Sequence, residues 1–211
     1  MPKIYYYKLT VDDGGAPCVQ NGLLSLAICK PMIRKTAGIG DLIFGFAANS
    51  LNYDNRLLYI AKITRRLTNG SYYTSKRYAN RIDCIYEQHD IKYVWRKNAL
   101  FHGADDLRHD LGKFPVYERA NVLLSTDFRY FGSNGTSNYK TTYPLIKDAI
   151  EHLGEGHRVR LEDQLRDQFI DLKNATWKQA HNNVVGRPTS KPNCDSCHRG
   201  KSCGVIEATL K

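Results

Sequence analysis

The sequence predicts an α+β fold in which a small curled β-sheet or barrel occupies the N-terminal half and C-terminal helices pack against it. Short apolar runs bounded by Gly, Pro and Asn turns continue up to Ser125. Apolar residues at helical spacing appear only beyond Pro144. The 211 residues, 42% of them hydrophobic, are enough for one substantial core.

The predicted strands are short and mostly apolar, and turn signals such as Gly40-Asp41 and Asn69-Gly70 lie between them. They cover residues 4–9, 23–29, 42–47, 56–63, 83–87, 91–95 and 121–125. The segments 83–87 and 91–95 are close enough in sequence to form a hairpin.

Two helices are predicted in the C-terminal half. Pro144 suits the first turn of a helix over 145–153, which Gly154 ends. Apolar residues at spacings of four, four and three predict an amphipathic helix from about residue 160 to 181. From Gly186 the composition becomes loop-like, so we expect a domain over 1–185 and a cysteine-rich tail over 186–211.

The charge balance favours an anionic partner. Lys and Arg number 31 and Asp and Glu 21, which gives a net charge of +10 and a field that attracts polyanions. No apolar run is long enough to span a bilayer, and the first residues do not resemble a signal peptide. We therefore expect a cytoplasmic protein with no membrane partner, in which the scattered cysteines are reduced.

The stretch 62–97 is the most basic and aromatic part of the chain. It holds nine Lys/Arg against three acidic residues, interleaved with five Tyr and Trp95. Cations that meet phosphates and rings that stack on bases are typical of nucleic-acid surfaces, so Arg65, Arg66 and Trp95 are candidate contacts. The alternative is a solvated surface whose aromatic residues pack inward.

The C-terminal tail carries a candidate metal site. Its proposed ligands are Cys194, Cys197, His198 and Cys203. Two cysteines separated by two residues point both thiolates at one ion, and zinc is the first expectation for such a set. An iron–sulfur cluster is the alternative. The fourth ligand stays open, because His157 or His181 could replace His198.

A turn and two apolar strands around residues 38–63 resemble the centre of PUA-like barrels, including their EVE and ASCH branches. In those families the pocket beside this hairpin often receives a modified or flipped base. The resemblance implies a base pocket here. The candidate contacts are Ser25, Lys30, Arg34, Phe46 and Asn49. The alternative reading places the phenylalanines of this strand in the core.

Three further polar groups are candidates for chemistry. Asp127 and Arg129 lie just beyond the strand 121–125, where a carboxylate and a guanidinium can bind a base edge and a phosphate or can pair with each other. Asp12-Asp13 forms a turn or binds a divalent ion. A cluster of acids and histidines is a weaker hydrolase-type metal candidate. Its members are His102, Asp105, Asp106, His109 and Asp110.

Nearly the whole chain resembles the nucleotide modification associated domain 2 proteins of bacteria and phages. The matching stretches are 4–18, 23–34, 40–50, 127–132 and 156–158. The resemblance implies a role near modified DNA or nucleotides, with partners from a base-modification or phage-conflict system. It supplies no catalytic residues.

Two functions follow as expectations. The first is recognition of modified bases in DNA or nucleotides, and the second is a transferase or glycosylase that acts on them. No P-loop, dinucleotide fingerprint or nucleophile elbow is present, so no nucleotide cofactor is expected and recognition is favoured. A third possibility is a structural component of a larger modification complex.

The metal prediction has a direct test. Protein purified without added metal should contain about one zinc per chain, because three thiolates this close need a cation and the tail has almost no apolar residues to fold around. Elemental analysis measures the stoichiometry, and Cys197→Ser should lower it. Far less than one zinc or iron per chain, with three freely titrating thiols, would contradict the prediction.

Overall fold

The computed structural model describes residues 1–192. Its strands are β1 (Ile4–Leu9), β2 (Cys18–Gln20), β3 (Leu23–Leu26), β4 (Leu42–Ala47), β5 (Leu57–Lys62), β6 (Arg65–Leu67), β7 (Tyr86–His89), β8 (Lys92–Trp95), β9 (Val122–Ser125), β10 (Asp127–Tyr130) and β11 (His157–Arg158). Its helices are α1 (Pro31–Thr36), α2 (Ser71–Thr74), α3 (Leu107–Leu111), α4 (Tyr139–Thr142), α5 (Pro144–Glu151) and α6 (Asp163–Gln179).

The strands of the described residues form three sheets. The largest has the order β10-β5-β4-β1-β11, in which β1 and β4 are parallel and the other pairs antiparallel. The second is antiparallel with the order β2-β3-β9-β6, and β7-β8 is a separate hairpin. The α+β class is therefore confirmed. None of these sheets closes into a barrel, so the PUA-like resemblance is not shown.

The five-stranded sheet is buried on both faces, and alternation along β1 separates the two sides. Tyr5 and Tyr7 join a core that includes residues of β3 and β9 from the second sheet. Ile4 and Tyr6 point to the other side, into a core formed with α5 and α6. A strand buried on both faces needs apolar residues at every position, which explains the unbroken LIFGFA of β4.

A glycine in β4 allows two buried tyrosines to meet. A side chain at Gly45 would collide with the Tyr59 ring. The Tyr59 hydroxyl lies 2.8 Å from the Tyr7 hydroxyl across the sheet. Nearby, Tyr130 donates a 2.6 Å hydrogen bond to the buried Asp12, whose backbone carbonyl accepts a bond from Ser190. Residues just beyond 185 therefore return to the loop after β1.

The predicted elements agree well with the observed ones. The strands 4–9 and 42–47 match β1 and β4 at both ends, and the helices near 145–153 and 160–181 correspond to α5 and α6. The predicted end of the strand 23–29 was three residues too late, because the chain leaves the sheet after Leu26. Among the described residues, no helix is long and apolar enough to cross a membrane. The domain boundary at 185 stays a prediction.

Candidate active site

A buried carboxylate, Asp110 on α3, lies at the centre of the most concentrated polar cluster outside the sheets. Its Oδ1 accepts a 2.9 Å hydrogen bond from the Cys29 backbone N–H. Its Oδ2 accepts a 2.8 Å bond from the Tyr86 hydroxyl and lies 2.6 Å from Nδ1 of His102. The Arg34 guanidinium is 3.6 Å from Oδ1. Three segments of the chain, around residues 29–34, 86 and 102, are thus fixed around one side chain.

His102 connects this carboxylate to a thiol. Its Nε2 lies 3.3 Å from Cys29 Sγ, while Nδ1 faces Asp110. An ionised carboxylate opposite Nδ1 favours the tautomer that carries its proton there, which leaves the Nε2 lone pair directed at the thiol. Cys29, His102 and Asp110 therefore have the order of a nucleophile, a base and an orienting acid.

The protein environment keeps Asp110 ionised. Burial alone would raise the pKa of this carboxyl. Hydrogen bonding and charge from His102 outweigh that effect, and Arg34 and Tyr86 add to it, so the pKa of Asp110 lies below its ordinary value. Because an ordinary aspartate titrates near pH ~3.9, the carboxylate persists at neutral pH.

The backbone around the thiol is held in an uncommon conformation. Cys29 has φ 54° and Lys30 φ 42°, both in the left-handed region, and His102 has φ 54°. Non-glycine residues pay for this conformation and adopt it where surrounding bonds enforce it. Here the Cys29 N–H is fixed by Asp110 and its carbonyl accepts a 2.6 Å bond from Arg34 Nε. The thiol is thereby presented in the turn before α1.

The surroundings of Cys29 are aromatic and basic. Lys30 Nζ lies 4.9 Å from the centre of the Tyr7 ring, and β11 places His157 opposite Tyr7. Burial, followed by the charges of Lys30 and Arg158, lowers the pKa of His157. The electrostatic influence of Cys29 contributes to the raised pKa of Tyr7, which is dominated by burial. Cationic groups therefore collect at the edge of the site.

Of the five residues predicted to contact a base beside β4, three are buried: Ser25, Arg34 and Phe46. Arg34 is fully buried and donates to the carbonyls of Arg119 and Asn121, among others, so its guanidinium is not available to a phosphate at the surface. Ser25 is buried against Arg81 and Asp83. These side chains hold loops together from inside the fold.

Phe46 and Asn49, near the end of β4, differ in their exposure to solvent. Phe46 is fully buried, with its ring centre 5.0 Å from that of Tyr139. Asn49 is exposed, and its Oδ1 accepts a 2.7 Å bond from Asn55. The structure therefore does not bring Ser25, Phe46 and Asn49 together as the wall of one pocket.

The candidates of the basic stretch lie nearer the surface. Arg65 is exposed on β6, and Arg66 is half-buried with Nη2 bonded to the Lys35 carbonyl. Trp95 is half-buried on the separate hairpin, where its Nε1 donates to the Phe101 carbonyl. Contact of these residues with nucleic acid stays a prediction.

Asp127 and Arg129 are neighbours on β10 and both bind Trp177 of α6. Asp127 accepts a 2.8 Å bond from the indole N–H. The Arg129 guanidinium lies 4.5 Å from the centre of the ring and also bonds to Asn183. Both side chains hold the end of α6 on the sheet through Trp177, and contact of these two residues with a base or a phosphate stays a prediction.

The cluster between 102 and 110 has a different arrangement from a metal site. Within residues 1–192, no three His, Cys, Asp or Glu side chains are grouped so that they could hold an ion. His102 and Asp110 instead contact each other, and His102 contacts Cys29. The proposed ligands Cys194, Cys197, His198 and Cys203 lie outside the described residues, so zinc or an iron–sulfur cluster there stays a prediction.

The site defines an α+β protein with a cysteine–histidine–aspartate cluster. The model of the nucleotide modification associated domain 2 family matches residues 1–193, and the chain belongs to that family. This membership confirms the resemblance seen in the sequence. Neither the curated proteins nor the solved structures contain a match to the chain.

Sequence reasoning named two of the three central residues but missed their partner. His102 and Asp110 were part of a weaker metal candidate, and Cys29 was one of the scattered cysteines expected to be reduced. One local pattern indicated that Cys29 lies at a turn. Cys29 follows a buried apolar strand and precedes Lys30-Pro31, and a proline at this position suits the start of a helix. Cys29 and His102 are 73 positions apart in the sequence, so no local pattern indicates their contact.

Replacing Arg34 by Met should strongly destabilise the protein, because buried carbonyls and Asp110 lose their cation. We expect a loss of about 3–5 kcal/mol in the free energy of unfolding, measured with urea. The neighbouring exposed Lys35→Met is the control and should change it by less than about 0.5 kcal/mol. The lowered pKa of Asp110 means that its stabilisation is present above the ordinary aspartate pKa and is lost on acidification. The loss should begin at higher pH in Arg34→Met, and an unchanged urea midpoint would contradict this role.

Cys29 should be the most reactive of Cys18, Cys29 and Cys84. Iodoacetamide labelling at pH 7, followed by peptide mapping, separates the three. Burial raises the pKa of Cys84 to about 11 and also raises that of Cys18, so both should label slowly. His102→Gln should slow labelling of Cys29 on the order of tenfold, because the thiolate loses its base. Equal labelling rates at Cys29 and Cys84, or an unchanged Cys29 rate in His102→Gln, would contradict the roles of Cys29 as nucleophile and His102 as base.

Proposed function

We propose that this protein is a thiol-dependent enzyme that transfers or hydrolyses an acyl group on a nucleotide or nucleobase. The proposal depends on one observation, the alignment of Cys29 Sγ, His102 and Asp110 at 3.3 Å and 2.6 Å. A cysteine beside an imidazole that a carboxylate orients is the arrangement used for covalent acyl transfer. The membership in a nucleotide modification family supports a nucleotide or nucleobase as the substrate.

In the proposed reaction, His102 moves one proton from the thiol to the leaving group. His102 Nε2 takes the thiol proton as Cys29 Sγ forms a bond to the carbonyl carbon of an amide on the base. The carbon–nitrogen bond then breaks, and Nε2 returns the proton to the leaving amine. A thioester remains on Cys29, which water or an acceptor amine cleaves. Asp110 keeps the imidazole oriented and stabilises its cationic form.

The basic edge of the site supports a phosphorylated substrate. Lys30 follows the nucleophile directly in sequence, and its ammonium lies over the Tyr7 ring. His157 on β11 lies opposite Tyr7 on the same face of the sheet, and the charge of Lys30 contributes to its lowered pKa. We assign to Lys30 the attraction of the substrate phosphate, and the net charge of +10 favours the approach of anionic substrates.

Catalysis is favoured over pure recognition by the geometry of the site. The predicted wall residues Ser25 and Phe46 are buried in two different parts of the core, so the base pocket expected beside β4 has no support, whereas the three groups of the thiol site are in contact. The triad needs no nucleotide cofactor, so the missing cofactor motifs do not count against an enzyme. DNA that carries the modified base is a second form of the same substrate.

The test uses dCMP acetylated on its exocyclic amine and the matching acetylated deoxycytidine. Wild-type protein should deacylate the nucleotide, with a thioester at Cys29 visible by mass spectrometry of the quenched reaction. Cys29→Ala should lose about 1000-fold or more in rate. Lys30→Ala should raise KM for the nucleotide more than for the nucleoside, since only the nucleotide carries a phosphate.

Cys84→Ser is the matched control, because Cys84 is also a free thiol and is buried. It should keep full activity. Binding of the nucleotide without turnover, equally tight in wild type and Cys29→Ala, would contradict the enzyme and return the protein to recognition of modified bases.

A further inference from the structure

A cleft of about 490 Å³ lies on the side of the five-stranded sheet opposite to Tyr7 and the thiol site. Its base is Leu57 at the start of β5. One wall is the segment from Phe131 to Tyr143, and the other is the last two turns of α6, from Leu172 to Gln179. The size is within the range of small-molecule pockets, about 300–1,000 Å³.

The chemistry of the lining is neutral. Among the described residues that line the cleft there is no Asp, Glu, Lys, Arg or His. Asn138, Thr142 and Gln179 contribute side-chain amides and a hydroxyl, which offer both donors and acceptors. Because the lining has no charged group, it cannot offset the free-energy cost of burying a charged ligand. A neutral ligand does not have that cost.

Aromatic and rigid groups complete the cleft. Phe131 and Tyr143 are half-buried at its wall, so part of each ring faces the open volume. Tyr139 is fixed beneath them because its hydroxyl donates a 2.9 Å bond to the Asn55 carbonyl, and Phe46 packs against its ring. Flat rings beside amide groups are suited to a planar ligand with donors and acceptors on its edge.

We infer that this cleft is a second ligand site, which binds an uncharged, planar heterocycle of the nucleobase or nucleoside class. The inference is independent of the proposed catalysis, because Cys29 and its partners lie beyond the sheet. Lys30, to which we assign the attraction of a phosphate, is at the other site, and the cleft discriminates by shape and hydrogen bonding alone. The two sites therefore prefer charged and neutral forms of related molecules.

The probe is the set of four common deoxynucleosides, titrated into the full chain by calorimetry. At least one should bind, and its affinity should change by less than about twofold between low and high salt, because no ion pair is formed. Ala175→Trp, which fills the cleft from α6, should weaken binding by about tenfold or more. Lys178→Ala, an exposed change on the same helix outside the lining, should have no effect.

A second pair of variants guards against misfolding of Ala175→Trp. Asn138→Ala and Gln179→Ala alter exposed side chains and should each weaken binding several-fold. A saturating deoxynucleoside should leave iodoacetamide labelling of Cys29 unchanged, which separates the two sites. The inference is overturned if no deoxynucleoside binds, if the variants bind as well as wild type, or if the ligand protects Cys29.

Discussion

The organisation of the N-terminal half depends on one buried carboxylate. Asp110 binds the backbone of Cys29, the hydroxyl of Tyr86, the ring of His102 and the cation of Arg34, which belong to three different segments. A buried charge is costly unless its oxygens are paired, so these partners are held together by the same requirement. The positive φ angles of Cys29 and His102 are consistent with strain that this network sustains.

Structure and chemistry therefore share the same residues. Arg34 donates to the carbonyls of Cys29, Asp110 and Asn121, which joins α1 to the segments around α3 and β9. Its charge adds to the effect of His102 in keeping Asp110 ionised. A substitution in this network alters stability and reactivity together, and the half-buried Lys30 and fully buried Arg34 show how neighbouring basic residues divide between these tasks. The family match points to nucleotide modification, and the acyl transfer that we propose is based on the arrangement of Cys29, His102 and Asp110.

The two faces of the central sheet separate two kinds of chemistry. On one side, thiol, imidazole and carboxylate lie near Lys30 and Tyr7, in an environment suited to an anionic substrate. On the other, a neutral cleft between α6 and the segment before α5 is suited to an uncharged one. Alternation along β1 makes this possible, since Tyr6 packs toward the helices and Tyr7 toward the second sheet.

The sequence by itself determined the fold class, most strand positions and both long helices, because periodic apolar spacing and turn residues act over a few neighbouring positions. It also identified the family. Only the tertiary structure decided which polar residues meet. From the sequence, Arg34 and Phe46 were candidate contacts of a base pocket, and the structure shows that both are fully buried. Cys29 lies beside His102, which is 73 positions away in the sequence. The physical reason is that burial and long-range contact depend on how sheets and loops pack, and no local pattern encodes the partner of a side chain.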